Sequence, residues 1–494
     1  MTKVLIVGLD GMSPELLNLL MIGGAAPFLK KLRQKGVYAT MRSTLPPVTA
    51  PAWASFATGK NPGKHGCFDF VRLGPSINSM RPLSRMDIRA LTFYEIAASH
   101  GLKCIIINLP LSFPPLMKDN LILLPSITTR LKVKAYPANL EKDLPLLNHY
   151  RVIPSVKLVT KGEFDKFVED VRELESVRFD IARYLLSSYE WDLFFLLFSG
   201  TDFLQHWLYD RLLRLENAYG ELKLYKDIDR YVARLFKDAP PDTYVFVVSD
   251  HGFRVCEGRF YINEWLRRMR LLSVAQKTSS KPPPHLFAKE LRRLSSRSLT
   301  LPSFVVRNID KLGFLMPIYR KFLSVLPIQL STELIYEPHG TYALCPSSES
   351  WGIYLCRKGR FSNGRVGQSL ARRLMPYIIG ELKGLTDRRG KPIFDAVLRR
   401  EDVYWGPLTS EGPDILLVSR KYAIATDISP TLTVYEKFNE HWLDGIFMAW
   451  GPGVVSMKKE HKRIFIWDVA PTVLRLLGLE APPDVDGKVV ADIL

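Results

Sequence analysis

The sequence predicts an α/β protein with a mostly parallel central sheet flanked by helices on both faces. Three observations carry that prediction. Blocks rich in Val, Ile, Leu and Phe run nearly unbroken, as strands covered on both faces do: Lys3–Leu9 (KVLIVGL), Cys104–Leu109 (CIIINL), Asp192–Phe198 (DLFFLLF) and Asp242–Ser249 (DTYVFVVS). Stretches with apolar residues at helical spacing lie between these blocks. Strands alternating with helices are the signature of a parallel sheet.

The elements follow in order. After Lys3–Leu9 a helix is expected over Ser13–Leu20, with Ser13 as N-cap and Pro14 at the first helical position. A short apolar helix begins near Thr49, with Pro51 in its first turn and Gly59 able to end it in the left-handed conformation. Glu163–Tyr189 carries Phe164, Phe167, Val168, Val171 and Leu174 at helical spacing, and Leu222–Phe236 reads as a second long helix. From about Leu271 to Pro327 the pattern breaks into SSKPPP and AKELRRLSSRS, a basic, weakly helical insertion or cap. This divides the chain into a first core segment (1–268), the insertion (269–335) and a second core segment (336–494). The sheet pattern returns at Trp351–Leu355 and Asp414–Val418, and ends with Gly445–Trp450 and a helix over Asp468–Leu477.

Composition bounds the function. An apolar content of 47% with 24% charged residues describes a folded globular chain and excludes a disordered one. The net charge of +18 favours phosphate-bearing substrates, nucleic acid or acidic surfaces. LRRLSSRS reads as a solvated face in preference to a nucleic-acid site. Cys67, Cys104, Cys256, Cys345 and Cys356 form no CxxC pair and read as free thiols of a reducing compartment. The N-terminus is already a strand and no apolar run approaches the ~20 residues of a membrane span. A soluble cytoplasmic protein is expected.

Three acidic or histidine groups sit just past strand ends: Asp10 in GLDGM, Asp202 and His206 in SGTDFLQHW, and Asp250 with His251 in SDHGF. Ligands of open α/β sheets bind outside the carboxyl ends of strands, so these groups should converge. Asp202 and His206 are spaced i, i+4 on one helix face and can share a metal ion. Thr49 stands at a helix N-terminus, where a cap and an anionic nucleophile are both favoured. The metal-ligand pattern tips that choice to the nucleophile.

The order GLDG, then TxP with TGxxPxxHG beginning at Thr58, then TDxxxH, SDHG and a late histidine resembles the alkaline phosphatase superfamily. Within it the chain is most similar to the type I phosphodiesterase/nucleotide pyrophosphatase branch, especially its prokaryotic soluble members. The likeness covers roughly residues 1–265 and 400–494, including the ending DVAPTVLRLLGLEAPPDVDG. It implies an alkaline phosphatase-like fold and two divalent metal ions, zinc with manganese tolerated. Asp10, Thr49, Asp250 and His251 would hold one ion; Asp202, His206 and a late histidine would hold the other. His441, preceding DGIFMAWGPG, is the favoured last ligand, with His339, His285 and His461 as alternatives; His65 matches the motif as a structural residue. A threonine at position 49 argues against a sulfatase, which needs cysteine there.

The resemblance implies hydrolysis of a small phosphate ester, possibly a nucleotide, through a phosphothreonine. Alternatives are a phosphomonoesterase or phosphonate hydrolase, a phosphotransferase or mutase, and an inactive metal-stabilised binding protein. One departure stands out: Phe70 occupies the place of the branch's phosphoryl-binding asparagine. Arg72 or Lys60 is then the expected replacement donor, and Phe68 and Phe70 are candidates either to stack on a base or to pack.

Overall fold

The structure, a computed structural model, describes residues 2–116, 119–129, 134–214, 219–275, 334–454 and 463–493. The apolar blocks lie in an eight-stranded sheet. Its order is Arg463–Phe465, Val37–Arg42, Asp444–Trp450, Thr243–Val248, Lys3–Leu9, Leu193–Phe198, Cys104–Ile107, Leu121–Leu124. Lys3–Leu9 runs parallel to both neighbours, pairing Leu9 with Phe198 and Gly8 with Val248. That register brings three carboxyl ends to one edge, so Asp10, Ser199 and Ser249 leave the sheet side by side. Asp444–Trp450 is antiparallel to the strands on either side of it.

Alternation along Lys3–Leu9 explains why both faces are covered. Leu5, Val7 and Leu9 join a core with the helices Pro14–Ile22, Phe164–Ser188 and Tyr219–Asp238. Val4 and Ile6 join the opposite core with Trp53 and Phe56 of the Thr49–Thr58 helix and Val473 of the Val469–Leu476 helix. The predicted helix start is present: Leu16 N donates to Ser13 Oγ at 3.1 Å.

Two predicted strands sit elsewhere than expected. Gly352–Leu355 and Ile415–Val418 do not extend the central sheet; they lie in a separate antiparallel sheet with Ala343–Leu344 and Ala396–Arg399. That sheet has its own core, in which Ile353, Leu355, Ile415 and Leu417 pack with Ile378 of the Gln368–Gly384 helix. A four-residue apolar run can be buried in any covered sheet, and its period does not name its partner. Val37–Arg42, whose sequence VYATMR interleaves polar residues, is a central-sheet strand the apolar runs did not reveal.

Most of the basic insertion, residues 276–333, lies outside the described residues. Its two ends meet, with Ala275 N donating to Ile335 O at 2.9 Å. No described helix is long and apolar enough to cross a membrane. All five cysteines are buried free thiols.

Candidate active site

The three strand-end groups converge as their positions predicted. His251 Nε2 lies 3.5 Å from Asp10 Oδ1, 3.3 Å from Asp250 Oδ2 and 3.4 Å from Thr49 Oγ1. Beside this group, His206 Nε2 is 3.4 Å from Asp202 Oδ2, and His441 Nε2 is 3.2 Å from Asp202 Oδ1. The two imidazole nitrogens of His206 and His441 are 3.0 Å apart. Asp202 joins the halves, its carboxylate also lying within 4.8 Å of donor atoms on Asp10 and His251. All seven residues are buried.

His441 sits within the strand Phe438–Trp442, where the family resemblance implied a loop. That strand pairs antiparallel with Gly252–Cys256 and sets His441 opposite Phe253. The tertiary pairing therefore delivers the last histidine. His339 lies in a turn bonded to Arg365 instead, and His285 and His461 lie outside the described residues.

The donor chemistry fits bound cations. His251 Nδ1 donates to Gly252 O at 3.1 Å, which leaves Nε2 as a lone pair facing two carboxylates. Asp10 Oδ1, Asp202 Oδ1 and Asp250 Oδ2 are buried and make no hydrogen bond. Burial, then the charges of Asp250 and Asp202, pushes the Asp10 carboxyl well above its usual range. Burial and Asp202 do the same to Asp250. Burial would raise Asp202 too, but His206 and His441 outweigh it and hold that carboxyl low. Burial and His441 together hold His251 neutral. Carboxylates this close ionise together only with positive charge between them.

Thr49 starts the Thr49–Thr58 helix, which has Val48 at its N-cap and no side-chain cap bond. The amides of Thr49 and Ala50 therefore have no acceptor among the described residues, and Pro51 has no N–H to satisfy. Gly59 ends the helix at φ +70°, as its position predicted. His65 supports the helix from below: Cys67 N donates to His65 Nδ1 at 3.2 Å, so Nε2 carries the proton given to Ser55 Oγ at 2.8 Å.

A family model described as type I phosphodiesterase/nucleotide pyrophosphatase matches residues 4–301. The chain belongs to that family. It is a phosphodiesterase-like hydrolase with an alkaline phosphatase-like fold. Among solved structures it resembles phosphonoacetate hydrolase from Sinorhizobium meliloti 1021 in complex with phosphonoformate (17% identity, 96% and 95% of the two chains covered, TM-score 0.56). It also resembles an inactive murine ectonucleotide pyrophosphatase/phosphodiesterase 5 in complex with AMP (14% identity, full coverage of both chains, TM-score 0.56). Alkaline phosphatase PafA aligns at 12% identity over 99% and 98% of the chains, with a TM-score of 0.54. These likenesses extend the shared fold to the second core segment, beyond the reach of the family model. No curated protein matches the sequence.

Against this family background the substrate-side residues are informative. Phe70 is half-buried and packs on a cluster that includes Ala50, Ala54 and Leu111. Phe68 lies edge-on to Tyr404, ring centres 5.0 Å apart. Arg72 is ion-paired with Glu411, and Lys60 with Asp484 at 2.6 Å. Among the described residues no hydrogen bond or ion pair joins either cation to Thr49.

Sequence reasoning passed over one supporting pair. Glu175 and Arg178, both fully buried, bind each other at 2.5 Å. Glu175 Oε1 accepts from Gly200 N, and Arg178 Nη1 donates to Ser199 Oγ at 3.2 Å. They clamp the turn that launches the Gly200–Leu212 helix and hence Asp202 and His206. Thr201 Oγ1 completes the tie by donating to Asp10 O at 2.6 Å. In the sequence this i, i+3 pair looks like any solvated helix pair; only its burial marks it.

Proposed function

We propose that the chain is a metal-dependent phosphodiesterase/nucleotide pyrophosphatase acting through a phosphothreonine on Thr49. The observation that carries this reading is Thr49 Oγ1 at an uncapped helix N-terminus, 3.4 Å from the lone-pair nitrogen of His251 within a buried carboxylate–imidazole cluster. Two divalent ions, held by Asp10, Thr49, Asp250 and His251 and by Asp202, His206 and His441, would supply the Lewis acidity that ionises Thr49 and stabilises the departing oxygen; the donor set suits Zn²⁺ and tolerates Mn²⁺.

The chain's own residues do the rest. Thr49 Oγ1 attacks phosphorus, the bond to the leaving oxygen breaks in line, and the phosphoryl group, still carrying the diester's second ester group, passes to Thr49. The free amides of Thr49 and Ala50 receive a phosphoryl oxygen at the positive end of the helix. Water then cleaves the phosphothreonine. Phe70, beside Ala50, offers an apolar wall where the family branch has an asparagine.

Membership of the phosphodiesterase family favours a diester over a monoester. The free thiols suit a reducing compartment such as the cytoplasm.

The test is Thr49→Ala and Thr49→Ser, assayed on bis-nitrophenyl phosphate and nitrophenyl phosphate. Thr49→Ala should lose several orders of magnitude in kcat while staying folded, and Thr49→Ser should keep measurable turnover. Wild type quenched in acid should carry the phosphoryl group, with its retained nitrophenyl ester when the diester is the substrate, on the peptide spanning Thr44 to Lys60. An active Thr49→Ala, or the label on Ser55 or Thr58, would reduce Thr49 to a cap worth ~1 kcal/mol. A tenfold monoester preference in kcat/KM, about 1.4 kcal/mol, would move the enzyme to the phosphomonoesterase class.

A further inference from the structure

A cavity with none of the seven proposed ligand residues in its lining is strongly basic. It has a volume of about 540 Å³, within the range of small-molecule sites. One wall is the short hairpin Val71–Leu73/Met80–Pro82; the other is the loop after Gly352–Leu355 together with the chain around Ser410. Arg72, Arg357, Lys358, Arg360 and Arg400 line it, against the single lining carboxylate of Glu411.

Internal pairing does not neutralise this charge. Arg357 and Arg400 share the buried Asp414, at 2.7 and 3.2 Å, and Arg400 also pairs with Glu401 at 2.7 Å, so the unopposed charge rests on Arg360 and Lys358. Arg72 shares Glu411 with Arg89 and lies 3.7 Å from Asp87, which Arg81 also binds. Arg360 has no carboxylate partner among the described residues: it donates to the carbonyls of Ser410, Glu411 and Gly412 and lies over Tyr354, 4.6 Å from the ring centre. Lys358 is exposed at the rim and likewise makes no ion pair among the described residues. Backbone carbonyls hold the Arg360 guanidinium in place but do not cancel its charge, so two or more positive charges face the cavity unopposed.

Phe68 and Tyr404 link the cavity wall to the nucleophile loop. Phe68 lines the cavity and packs on Tyr404, whose Oη donates to Leu45 O at 2.6 Å, four residues before Thr49. Arg72, one of the two replacement donors the sequence offered for the phosphoryl group, lines this cavity.

We propose that this cavity binds an oligophosphate-bearing small molecule, its phosphate chain held by Arg360, Lys358 and the neighbouring arginines. Clustered guanidinium groups recognise phosphate oxygens with paired N–H donors. The spread of cations across two walls suits a chain of phosphates in preference to one.

The experiment is calorimetric titration of the full-length protein with inorganic tripolyphosphate, ATP and orthophosphate. Thr49→Ala prevents turnover, and hydrogen–deuterium exchange locates each ligand. Tripolyphosphate should protect peptides covering 71–74 and 356–366. Lys358→Glu, an exposed change that leaves the fold intact, and Arg360→Met should each weaken that binding tenfold or more. ATP binding tighter than tripolyphosphate assigns a nucleotide; equal affinities assign a bare phosphate chain. Unchanged affinity in both variants, with protection confined to the Thr49 cluster, overturns the proposal. Orthophosphate binding as tightly as tripolyphosphate overturns it as well.

Discussion

Acidification should destabilise this protein through His65, far from any solvent. The ring is fully buried. Its Nδ1 accepts from Cys67 N and its Nε2–H serves Ser55, so neither nitrogen has room for a second proton. Burial, with the nearby Lys60 charge adding to it and Asp486 opposing, lowers its pKa from 6.5 to about 3. The unfolded chain therefore binds a proton between those two values that the folded chain refuses. Stability is complete above pH 6.5 and falls as pH drops through the window. At 1.36 kcal/mol per unit, this residue withdraws about 2 kcal/mol by pH 5 and roughly 4 kcal/mol by pH 3. His65→Gln keeps a hydrogen-bonding side chain and cannot ionise. Urea unfolding of both proteins from pH 8 to 4 isolates the effect as a difference. The wild-type stability should fall by about 2 kcal/mol more than the variant's between pH 7.5 and 5. Parallel profiles would refute the reasoning. The consequence reaches chemistry, because Ser55 and Thr49 share one helix.

Chelator treatment should abolish hydrolysis, with Zn²⁺ or Mn²⁺ restoring it and elemental analysis giving close to two ions per chain; full activity in metal-free protein would contradict the ligand assignment. Glu175→Gln leaves Arg178 buried without its counter-charge, so stability should drop by about 3–5 kcal/mol. In its folded fraction, metal affinity should fall ~10-fold or more as the Ser199–Gly200 turn loosens, which metal-competition titration reads. Gly11→Ala forces a side chain onto φ +72° with its Cβ 2.6 Å from Phe253 Cε2. It should lower Tm by the equivalent of about 1–3 kcal/mol and reduce activity with it.

The fold class, five of the eight central strands and six of the seven proposed ligand positions were legible in the residue pattern, with His441 favoured through the family resemblance. Each depends on short-range patterning: a run buried on both faces looks continuous, and a residue just past a strand end inherits that strand's position. Asp10, Asp202 and Asp250 could be expected to meet because parallel neighbours put their carboxyl ends on one edge. Thr49 was marked by its helix start, and the i, i+4 spacing already put His206 with Asp202. Tertiary structure alone decided the remainder. His441 reaches the cluster through antiparallel pairing with Gly252–Cys256, a contact across nearly two hundred residues that no local period encodes. Gly352–Leu355 and Ile415–Val418 look like central strands, yet close a second sheet because buried apolar runs are interchangeable until their partners are set. The fates of Arg72 and of the Glu175–Arg178 pair depend on burial and on which distant carboxylate or turn lies opposite. A charged residue in sequence carries no record of either, since its desolvation and its partner exist only once the chain has packed.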